Sequence, residues 1–273
     1  MQFIKSVLRL LIPFYTNLMF KSDKRIFCLF YNIKSVLIGS PSRLSWSNGL
    51  FKVEDRLNPS ITYYSILPYP TNLFFELGFR NTAKTFADTY FLNEIDFEDD
   101  DIFLDCGANI GAVNLYFQIN SIKINYFGFE PSIDEFRALK ENISSDNLYN
   151  IGLWNSDEVL EFYVSSNNGD SSFFETADYD CKKNITVSRL SNFIDSDIKC
   201  LKLEAEGAEP EIIKGIGDKI KYIKYISADL GFERGINQES TLIEATNLLE
   251  ERGFKRIKYS PERLTALFLN TNI

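Results

Sequence analysis

The sequence contains no histidine. This absence excludes a Ser-His-Asp triad and a Cys-His pair, and it excludes every zinc or iron site that depends on imidazole ligands. If a side chain of this protein removes a proton during catalysis, it must therefore be a carboxylate, a lysine, a tyrosine or a cysteine; otherwise the base is a group of the substrate.

Cysteine is also scarce. The four cysteines, Cys28, Cys106, Cys181 and Cys200, are far apart and include no C-x-x-C pair. This spacing argues against a disulfide framework and against a zinc ribbon. Because free thiols suit a reducing compartment, we expect a cytoplasmic protein.

Basic residues are fewer than acidic ones, 29 against 38, and the net charge is −9. We therefore expect no nucleic-acid partner, since binding to phosphates requires clustered lysine and arginine. The basic residues are unevenly distributed, because residues 1–40 hold six of them and only one acid, Asp23.

The N-terminal segment 3–20 is apolar, but it contains Lys5 and Arg9, and Pro13 interrupts it. Its uninterrupted apolar stretches are too short to span a bilayer, and no small-residue cleavage site of a signal peptide follows. Its apolar residues have helical spacing. Two interpretations stay open: a helix that contacts an anionic membrane peripherally through residues 1–20, and a helix that packs on its own domain.

The remaining pattern predicts an α/β protein with an N-terminal extension. The extension, residues 1–95, contains predicted strands at 50–53 and 61–66 and a helix that Asn81 caps. Residues 96–273 alternate strands with helices, which indicates a doubly wound, mostly parallel sheet whose ligand lies at the carboxyl ends of its strands. The predicted strands are 101–106, 124–130, 148–153, 200–204 and 222–229; the predicted helices are 112–119, 133–143 (capped by Ser132), 211–216 and 240–252; a terminal hairpin, 255–259 with 264–269, adds an antiparallel strand.

A glycine loop follows the first strand of this sheet in D-C-G-A-N-I-G, where Asp105 precedes Gly107 and Gly111. Glycines at this point let the backbone turn sharply and approach a ligand closely. The G-x-x-x-G spacing differs from the G-x-G-x-x-G of dinucleotide folds, and no Walker-type Gly-Lys-Ser/Thr follows. The motif resembles the first motif of class I S-adenosylmethionine-dependent methyltransferases, in which the loop wraps the methionine part of the cofactor.

Glu130 ends the second strand in F-G-F-E-P, 25 positions after Asp105. An acid at this point can accept hydrogen bonds from both hydroxyls of a ribose. The alternative is that its charge complements the dipole of the helix at 133–143. Together with the glycine loop, the spacing favours ribose binding.

Four glutamates follow the fourth strand in K-L-E-A-E-G-A-E-P-E. Pro210 suits the first position of a helix, and Glu209 and Glu211 complement its N-terminus. Glu204 and Glu206 lie at the carboxyl edge of the sheet, which favours a role in a site.

The motifs D-C-G-A-N-I-G, F-E-P and K-L-E-A-E-G-A-E, in this order, resemble the FkbM-type methyltransferase family over roughly residues 100–255. The resemblance implies a class I methyltransferase fold and S-adenosylmethionine as cofactor. It implies cofactor-binding residues at Asp105, Gly107, Ala108, Asn109, Gly111 and Glu130, joined by Ser171 and Ser172, which also follow a turn at 167–170. It implies a transfer site at Lys202, Glu204 and Glu206. The family's usual Asp is Glu204 here, and the extra methylene moves the carboxylate by about one C–C bond from the family's position.

We therefore predict an S-adenosylmethionine-dependent O-methyltransferase that acts on a hydroxyl of a sugar, a glycan or a natural-product-like acceptor. The base would be Glu204 or Glu206, with Asp229 at the end of the fifth strand as a second candidate. Alternatively these three acids hold Mg²⁺, which the sequence does not require. Glu233 and Arg234 are candidates to bind acceptor hydroxyls. The alternatives are a catalytically silent methyltransferase-like adaptor and, less favoured by the glycine spacing, an NAD(P)-dependent oxidoreductase.

Overall fold

The computed structural model describes residues 23–66, 75–165, 171–177 and 179–273. The chain divides into two compact units, one ending at Thr82 and the other comprising Ala83–Ile273. The predicted amphipathic segment 3–20 and the turn at 167–170 lie outside the described residues. No helix within the described ranges is long and apolar enough to cross a membrane.

The first unit contains a helix and a small antiparallel sheet. Its elements are α1 (Lys24–Ile38), β1 (Ser42–Ser47), β2 (Leu50–Asp55) and β3 (Thr62–Ser65), and the strands pair in the order β1-β2-β3. The Asp23 side chain caps α1 by accepting a hydrogen bond from the N–H of Arg25, and Gly39 ends the helix in the left-handed conformation. The predicted strands at 50–53 and 61–66 are confirmed as β2 and β3, whereas the sequence pattern predicts neither α1 nor β1.

Helix α2 (Phe79–Thr89) starts two residues before the predicted N-cap. The Asp55 carboxylate accepts a hydrogen bond from the N–H of Phe79 at 2.7 Å, so a distant side chain satisfies the helix N-terminus. Asn81 lies inside the helix, and its side-chain amide donates to the carbonyl of Leu77. The prediction that Asn81 caps this helix is therefore wrong.

The second unit is built around a seven-stranded sheet. Its further elements are β4 (Ile102–Cys106), α3 (Leu115–Asn120), β5 (Asn125–Phe129), α4 (Ile133–Asn142), β6 (Leu148–Tyr149), β7 (Gly152–Trp154), β8 (Glu158–Val164), β9 (Cys181–Arg189), β10 (Ile198–Leu203), α5 (Glu209–Ile216), β11 (Ile223–Asp229), β12 (Phe232–Arg234), β13 (Glu239–Ser240), α6 (Leu242–Glu250), β14 (Phe254–Tyr259) and β15 (Thr265–Asn270).

The large sheet has the strand order β14-β15-β11-β10-β4-β5-β6. The pairs from β11 to β6 are parallel, and β15 is antiparallel to both of its neighbours. The chain runs from β4 towards β5 on one side and returns to β10 on the other, so the strand order reverses between β4 and β10. The predicted doubly wound sheet with an antiparallel terminal hairpin is confirmed.

Side-chain alternation along the strands separates two cores on opposite faces of this sheet. Leu104 and Leu201 belong to one core, and Phe103 and Cys200 belong to the other. The register pairs Asp105 with Lys202 and Lys202 with Ser227, so these polar residues form a row across three adjacent strands. The row lies on the second face, near the carboxyl ends of the strands.

Two local predictions need correction. The predicted strand 148–153 is two strands, because β6 pairs with β5 while β7 joins β8 and β9 in a separate sheet of order β7-β9-β8. Between them, the amide of Asn150 donates to the carbonyls of Glu130 and Pro131, which fixes a turn in the chain. Ser132 occupies the N-cap position of α4, but its side chain makes no capping hydrogen bond to the helix backbone.

Candidate active site

The candidate site lies at the carboxyl ends of β4, β5, β10 and β11, around the reversal of strand order. Crevices at this place in an open α/β sheet are where ligands bind. The loop after β4 lies on one side of the reversal, and the loop after β10 lies on the other.

The loop after β4 turns through three left-handed residues, Gly107 at φ +69°, Asn109 at +50° and Gly111 at +75°. The N–H groups of Gly107 and Ala108 both donate to the carbonyl oxygen of Phe129, at 3.1 and 3.0 Å. The loop is thereby fixed to the end of β5. Asn109 is exposed at its tip, where a ligand has access.

Both glycines are required by close approaches within the protein. A Cβ atom on Gly107 would lie 1.8 Å from the backbone oxygen of Glu204, and one on Gly111 would lie 2.7 Å from a methyl carbon of Leu139 in α4. The sequence predicts glycines that make room for a ligand. The structure gives a more specific reason, since Gly107 lets the loop after β4 touch the end of β10 and Gly111 lets it pack on α4.

Glu130 joins the tip of the glycine loop to the start of α4. Its carboxylate accepts hydrogen bonds from the N–H of Asn109 and from the N–H of Ser132, both at 2.8 Å. Burial, together with the charge of Glu135, raises the pKa of Glu130 to about 8. Each carboxylate oxygen has a second lone pair, so the group retains acceptor capacity for ligand hydroxyls.

Lys202 is the centre of the polar row. Its ammonium lies 3.1 Å from Asp105 Oδ1 and 2.9 Å from Glu204 Oε2, and it donates to the carbonyl oxygen of Gly107 at 2.8 Å. The three acceptors match the three ammonium protons. Burial lowers the pKa of Lys202, but Asp105 and Glu204 outweigh it and raise the pKa above its ordinary value. The lysine is thus held protonated and is not a base.

Asp105 is completely buried beneath the glycine loop. The hydroxyl of Tyr126 donates to its Oδ2, and its Oδ1 faces the ammonium of Lys202. Burial raises the pKa of Asp105, against the opposing effect of Lys202. These contacts suit a carboxylate that shapes the loop from below, whereas Glu130 is placed at its tip.

Glu204 and Asp229 have opposite electrostatic environments. Burial raises the pKa of Glu204, but the charge of Lys202 and a hydrogen bond from the hydroxyl of Tyr90 outweigh it, so the net pKa is lowered. Burial and the charge of Glu204 raise the pKa of Asp229, and Arg263 partly opposes them. Arg263 lies 3.4 Å from Asp229 Oδ2. Of the two carboxylates, Asp229 therefore has the greater affinity for a proton.

The loop after β10 is fixed by a buried glutamate in α5. Glu209 Oε1 accepts hydrogen bonds from the N–H groups of Ala205 and Gly207, and its Oε2 accepts one from the hydroxyl of Thr241. Burial raises the pKa of Glu209 to about 7, against the lowering effect of these donors. Glu206 adopts a left-handed φ of +50° in this loop.

The two candidate serines are in different positions. Ser172 is buried, and its hydroxyl donates to the carbonyl oxygen of Glu206 at 2.8 Å, so it contacts the loop after β10. The hydroxyl of Ser171 accepts a hydrogen bond from the N–H of Ser165, just beyond β8. Ser172 is therefore in direct contact with a site loop, and the described contacts of Ser171 are with the β8 region.

The Arg234 side chain is engaged by other residues of the protein. Its guanidinium makes two hydrogen bonds of 2.8 Å to Glu211, donates to the carbonyl of Gly207, and lies 4.0 Å from the ring centroid of Phe174. These contacts lock β12 onto the loop after β10. Glu211 therefore has a stronger partner than the helix dipole that the sequence predicts for it.

The suggested Mg²⁺ site is not assembled. In the ranges that the structure describes, no group of three or more Cys, Asp or Glu side chains is arranged to hold a metal ion. Glu204 pairs with Lys202, and Asp229 pairs with Arg263. Each of these carboxylates is thus engaged by a cation of the protein.

Tyr90 and Arg263 are site residues that the sequence does not reveal. Tyr90 is buried and lies just beyond α2; the ammonium of Lys202 is 5.3 Å from its ring centroid, and the Ser227 hydroxyl donates to its carbonyl. Burial, with the charge of Glu204, raises the pKa of Tyr90 well above its ordinary value, so it remains a phenol donor. Arg263 lies between β14 and β15. Neither residue is part of a motif or directly follows a parallel strand.

Comparisons with known proteins identify the family of this chain. The family model described as "Methyltransferase FkbM domain" matches residues 105–256. The chain is 28% identical over 167 residues to the hexuronic acid methyltransferase AglP of Haloferax volcanii, an alignment that covers 56% of this chain and 63% of that protein, less than two thirds of its length. It is 24% identical over 188 residues to Methyltransferase 1 of Beauveria bassiana, covering 58% and 74% of the two chains.

Among solved structures, a SAM-dependent methyltransferase from Aquifex aeolicus is similar to this chain. The TM-score is 0.42 at 12% identity, and the match covers 74% of this chain and 93% of that chain. The larger unit has the mostly parallel α/β sheet that the methyltransferase resemblance predicts, and the family assignment supports S-adenosylmethionine as the cofactor. Because the family model matches more than half of the sequence, the chain belongs to the FkbM methyltransferase family.

Proposed function

We propose that this protein transfers a methyl group from S-adenosylmethionine to a hydroxyl oxygen of a sugar or glycan acceptor. The observation that carries the proposal is the arrangement of acids around the strand reversal. On one side, the Glu130 carboxylate contacts Asn109 at the tip of the glycine loop; on the other, Glu204 follows β10 and Asp229 ends β11. This arrangement supports a cofactor site beside a proton-accepting site.

The residues around the glycine loop fit the cofactor. The exposed tip at Asn109 leaves access to the loop, and Glu130 offers carboxylate lone pairs to ribose hydroxyls. The acidic character of the edge suits a ligand that carries a positive sulfonium. When bound, S-adenosylmethionine supplies a methyl group already activated for transfer, so the protein has to align the acceptor and remove a proton.

Asp229 is the carboxylate that best serves as the proton acceptor. It is 2% exposed, and its pKa is raised by burial and by the charge of Glu204, so it binds a proton more readily than Glu204 does. The hydroxyl proton of the acceptor would pass to Asp229 as the oxygen forms its new bond to the methyl carbon; the bond from that carbon to the sulfonium sulfur would break, and the sulfur would keep the electron pair as a neutral thioether. Glu204, held ionised by Lys202 and Tyr90, would orient the acceptor by accepting a hydrogen bond from a second hydroxyl.

The sugar acceptor is supported by the similarity to AglP, which is named for a hexuronic acid. A carbohydrate presents several hydroxyls at fixed positions, and two ionised or ionisable carboxylates at one edge can select one of them for deprotonation. Natural-product hydroxyls offer the same chemistry and are the alternative acceptors.

Mass spectrometry of glycans tests this function. Surface glycans from cells that lack the gene should miss an increment of about 14 daltons, one methylene. Purified protein with S-adenosylmethionine should restore it, and the Asp229→Asn variant should restore it far more slowly. Unchanged glycans, with methyl transfer to an extracted small molecule, would move the assignment to natural products. Absence of any transfer would overturn it.

A further inference from the structure

Helix α1 presents a continuous apolar stripe to solvent. Five large aliphatic side chains on it are each between 47% and 64% exposed: Ile26, Leu29, Ile33, Val36 and Leu37. At 100° per residue they share an arc of about 100°, which is the width of a helix face that is normally buried. We call these five residues the α1 stripe.

The opposite face of the same helix already serves the core of its own unit. Phe27, Cys28 and Tyr31 are buried, and the Phe27 ring lies 5.5 Å from that of Phe51 in β2. The helix is therefore apolar on two sides, and only one side is used by the described residues. An exposed apolar surface of this extent on a folded unit marks an interaction site.

The charges beside the α1 stripe indicate what it binds. Arg25 lies at one border of the stripe and Lys34 at the other. Lys34 pairs with Glu76, whereas Arg25 forms no ion pair with a carboxylate of the described residues. Lys24 is on the opposite side of the helix, where its ammonium lies 5.9 Å from the ring centroid of Phe51. Residues 1–40 carry six basic groups and one acid, in a chain whose net charge is −9.

We infer that the α1 stripe docks on the surface of an anionic lipid bilayer. Apolar side chains on such a helix enter the boundary between headgroups and acyl chains, and flanking cations contact lipid phosphates. With 15 residues, α1 is too short to span a bilayer and lies along the interface.

The same charges disfavour the other two occupants. A second copy that packs symmetrically on the α1 stripe would bring its own Arg25 and Lys34 to a border that already carries these two cations, because a two-fold contact uses the same patch twice. The segment 3–20 of the same chain carries Lys5 and Arg9, so it would also add positive charge to a positive border. An anionic surface complements both the stripe and its rim.

Vesicle co-sedimentation of the full chain tests the inference. The probes are vesicles of phosphatidylcholine with 25% phosphatidylglycerol, on the order of a cytoplasmic-leaflet charge, and vesicles of phosphatidylcholine alone. The anionic vesicles should bind the protein, and Ile33→Glu with Leu37→Glu should weaken the partition at least about tenfold. The matched control, Ile243→Glu with Val159→Glu, adds the same charge at exposed positions elsewhere and should bind normally.

A second variant separates charge from apolar contact. Arg25→Gln leaves the α1 stripe intact and should weaken binding to anionic vesicles several-fold, and added salt should weaken wild-type binding in the same way. The inference is overturned if wild type ignores anionic vesicles, or if the glutamate variant binds as wild type does. The inference is also overturned if the glutamate variant has a different oligomeric mass from wild type, because the α1 stripe then binds a second copy. A large fall in the melting temperature of the glutamate variant would overturn it as well, because the stripe then packs against the chain's own N-terminal residues.

Discussion

The ammonium of Lys202 donates to the backbone carbonyl of Gly107 across 2.8 Å, so a side chain from β10 fastens the glycine loop that follows β4. The contact runs across the reversal of strand order, between the two halves of the candidate site. A residue that sequence resemblance places in the transfer site thereby maintains the shape of the cofactor loop.

Replacing Lys202 by methionine should therefore weaken S-adenosylmethionine binding as well as catalysis. The change leaves the buried Asp105 carboxylate without its cation, which costs about 3–5 kcal/mol of unfolding free energy. Lys214→Met is the matched control, since Lys214 pairs with Glu244 at the surface and its loss should cost less than about 1 kcal/mol. Urea denaturation and calorimetric titration measure both effects. Equal stability of the two variants would contradict the role of Lys202.

Gly107→Ala should prevent the loop from closing on β10. The new methyl carbon would lie 1.8 Å from the Glu204 carbonyl oxygen, and a backbone atom cannot rotate away. We expect a loss of at least about 3 kcal/mol in unfolding free energy. Gly39→Ala has a similar φ, +75°, with nothing within 4 Å, and should cost only about 1 kcal/mol. Thermal unfolding distinguishes the two, and similar melting temperatures would mean that steric contact is not the reason for Gly107.

Arg263 should determine the pH below which the rate of methyl transfer falls. Transfer requires ionised Asp229, so the rate falls as the pH drops below the pKa of this carboxyl. Arg263 holds that raised pKa down, so Arg263→Gln should raise it further and shift the acidic limb of the kcat profile to higher pH. Asp229→Asn should lower kcat about 10²–10⁴-fold with S-adenosylmethionine affinity kept. Arg256→Gln, on the same hairpin, should leave the limb in place. An unmoved limb in Arg263→Gln would exclude Asp229 as the titrating base.

Glu209 should make the stability of the protein fall as the pH rises. Its pKa is about 7 in the folded protein against an ordinary value of 4.5, so between these values the folded state binds more protons than the unfolded state does. By linkage, stability decreases through this window, by on the order of 3 kcal/mol for this group. Glu209→Gln should flatten that part of the profile, measured by urea denaturation at pH 5 and pH 8. Glu250→Gln, at an exposed position of α6, should retain the wild-type profile.

Much of the second unit follows from local sequence. The strands that precede Gly107, Glu130 and Glu204 lie where apolar runs and motif order predict them, because each depends on neighbours in the chain. Tyr90 and Arg263 could not be predicted in this way. They reach Glu204 and Asp229 only through the fold, from segments more than thirty positions distant in the sequence. The roles of the predicted site residues stay predictions.

Helix α1 was hidden for a different physical reason. Its apolar residues recur at helical spacing over 24–38, but the sequence alone does not show which of them are buried and which five stay exposed. The glycines illustrate a third limit. The sequence correctly marks positions with left-handed backbone, but only the structure shows that Gly107 makes room for Glu204.

Calorimetric titration of the full chain with S-adenosylmethionine, and separately with NADPH, determines which of the two ligands the protein binds. We predict one S-adenosylmethionine site per chain and no heat with NADPH. Glu130→Ala should weaken the affinity at least about tenfold, because the ribose hydroxyls lose a carboxylate acceptor. The proposed cofactor would be contradicted if NADPH binds or if neither ligand binds. The proposed role of Glu130 would be contradicted if a folded Glu130→Ala variant keeps full affinity.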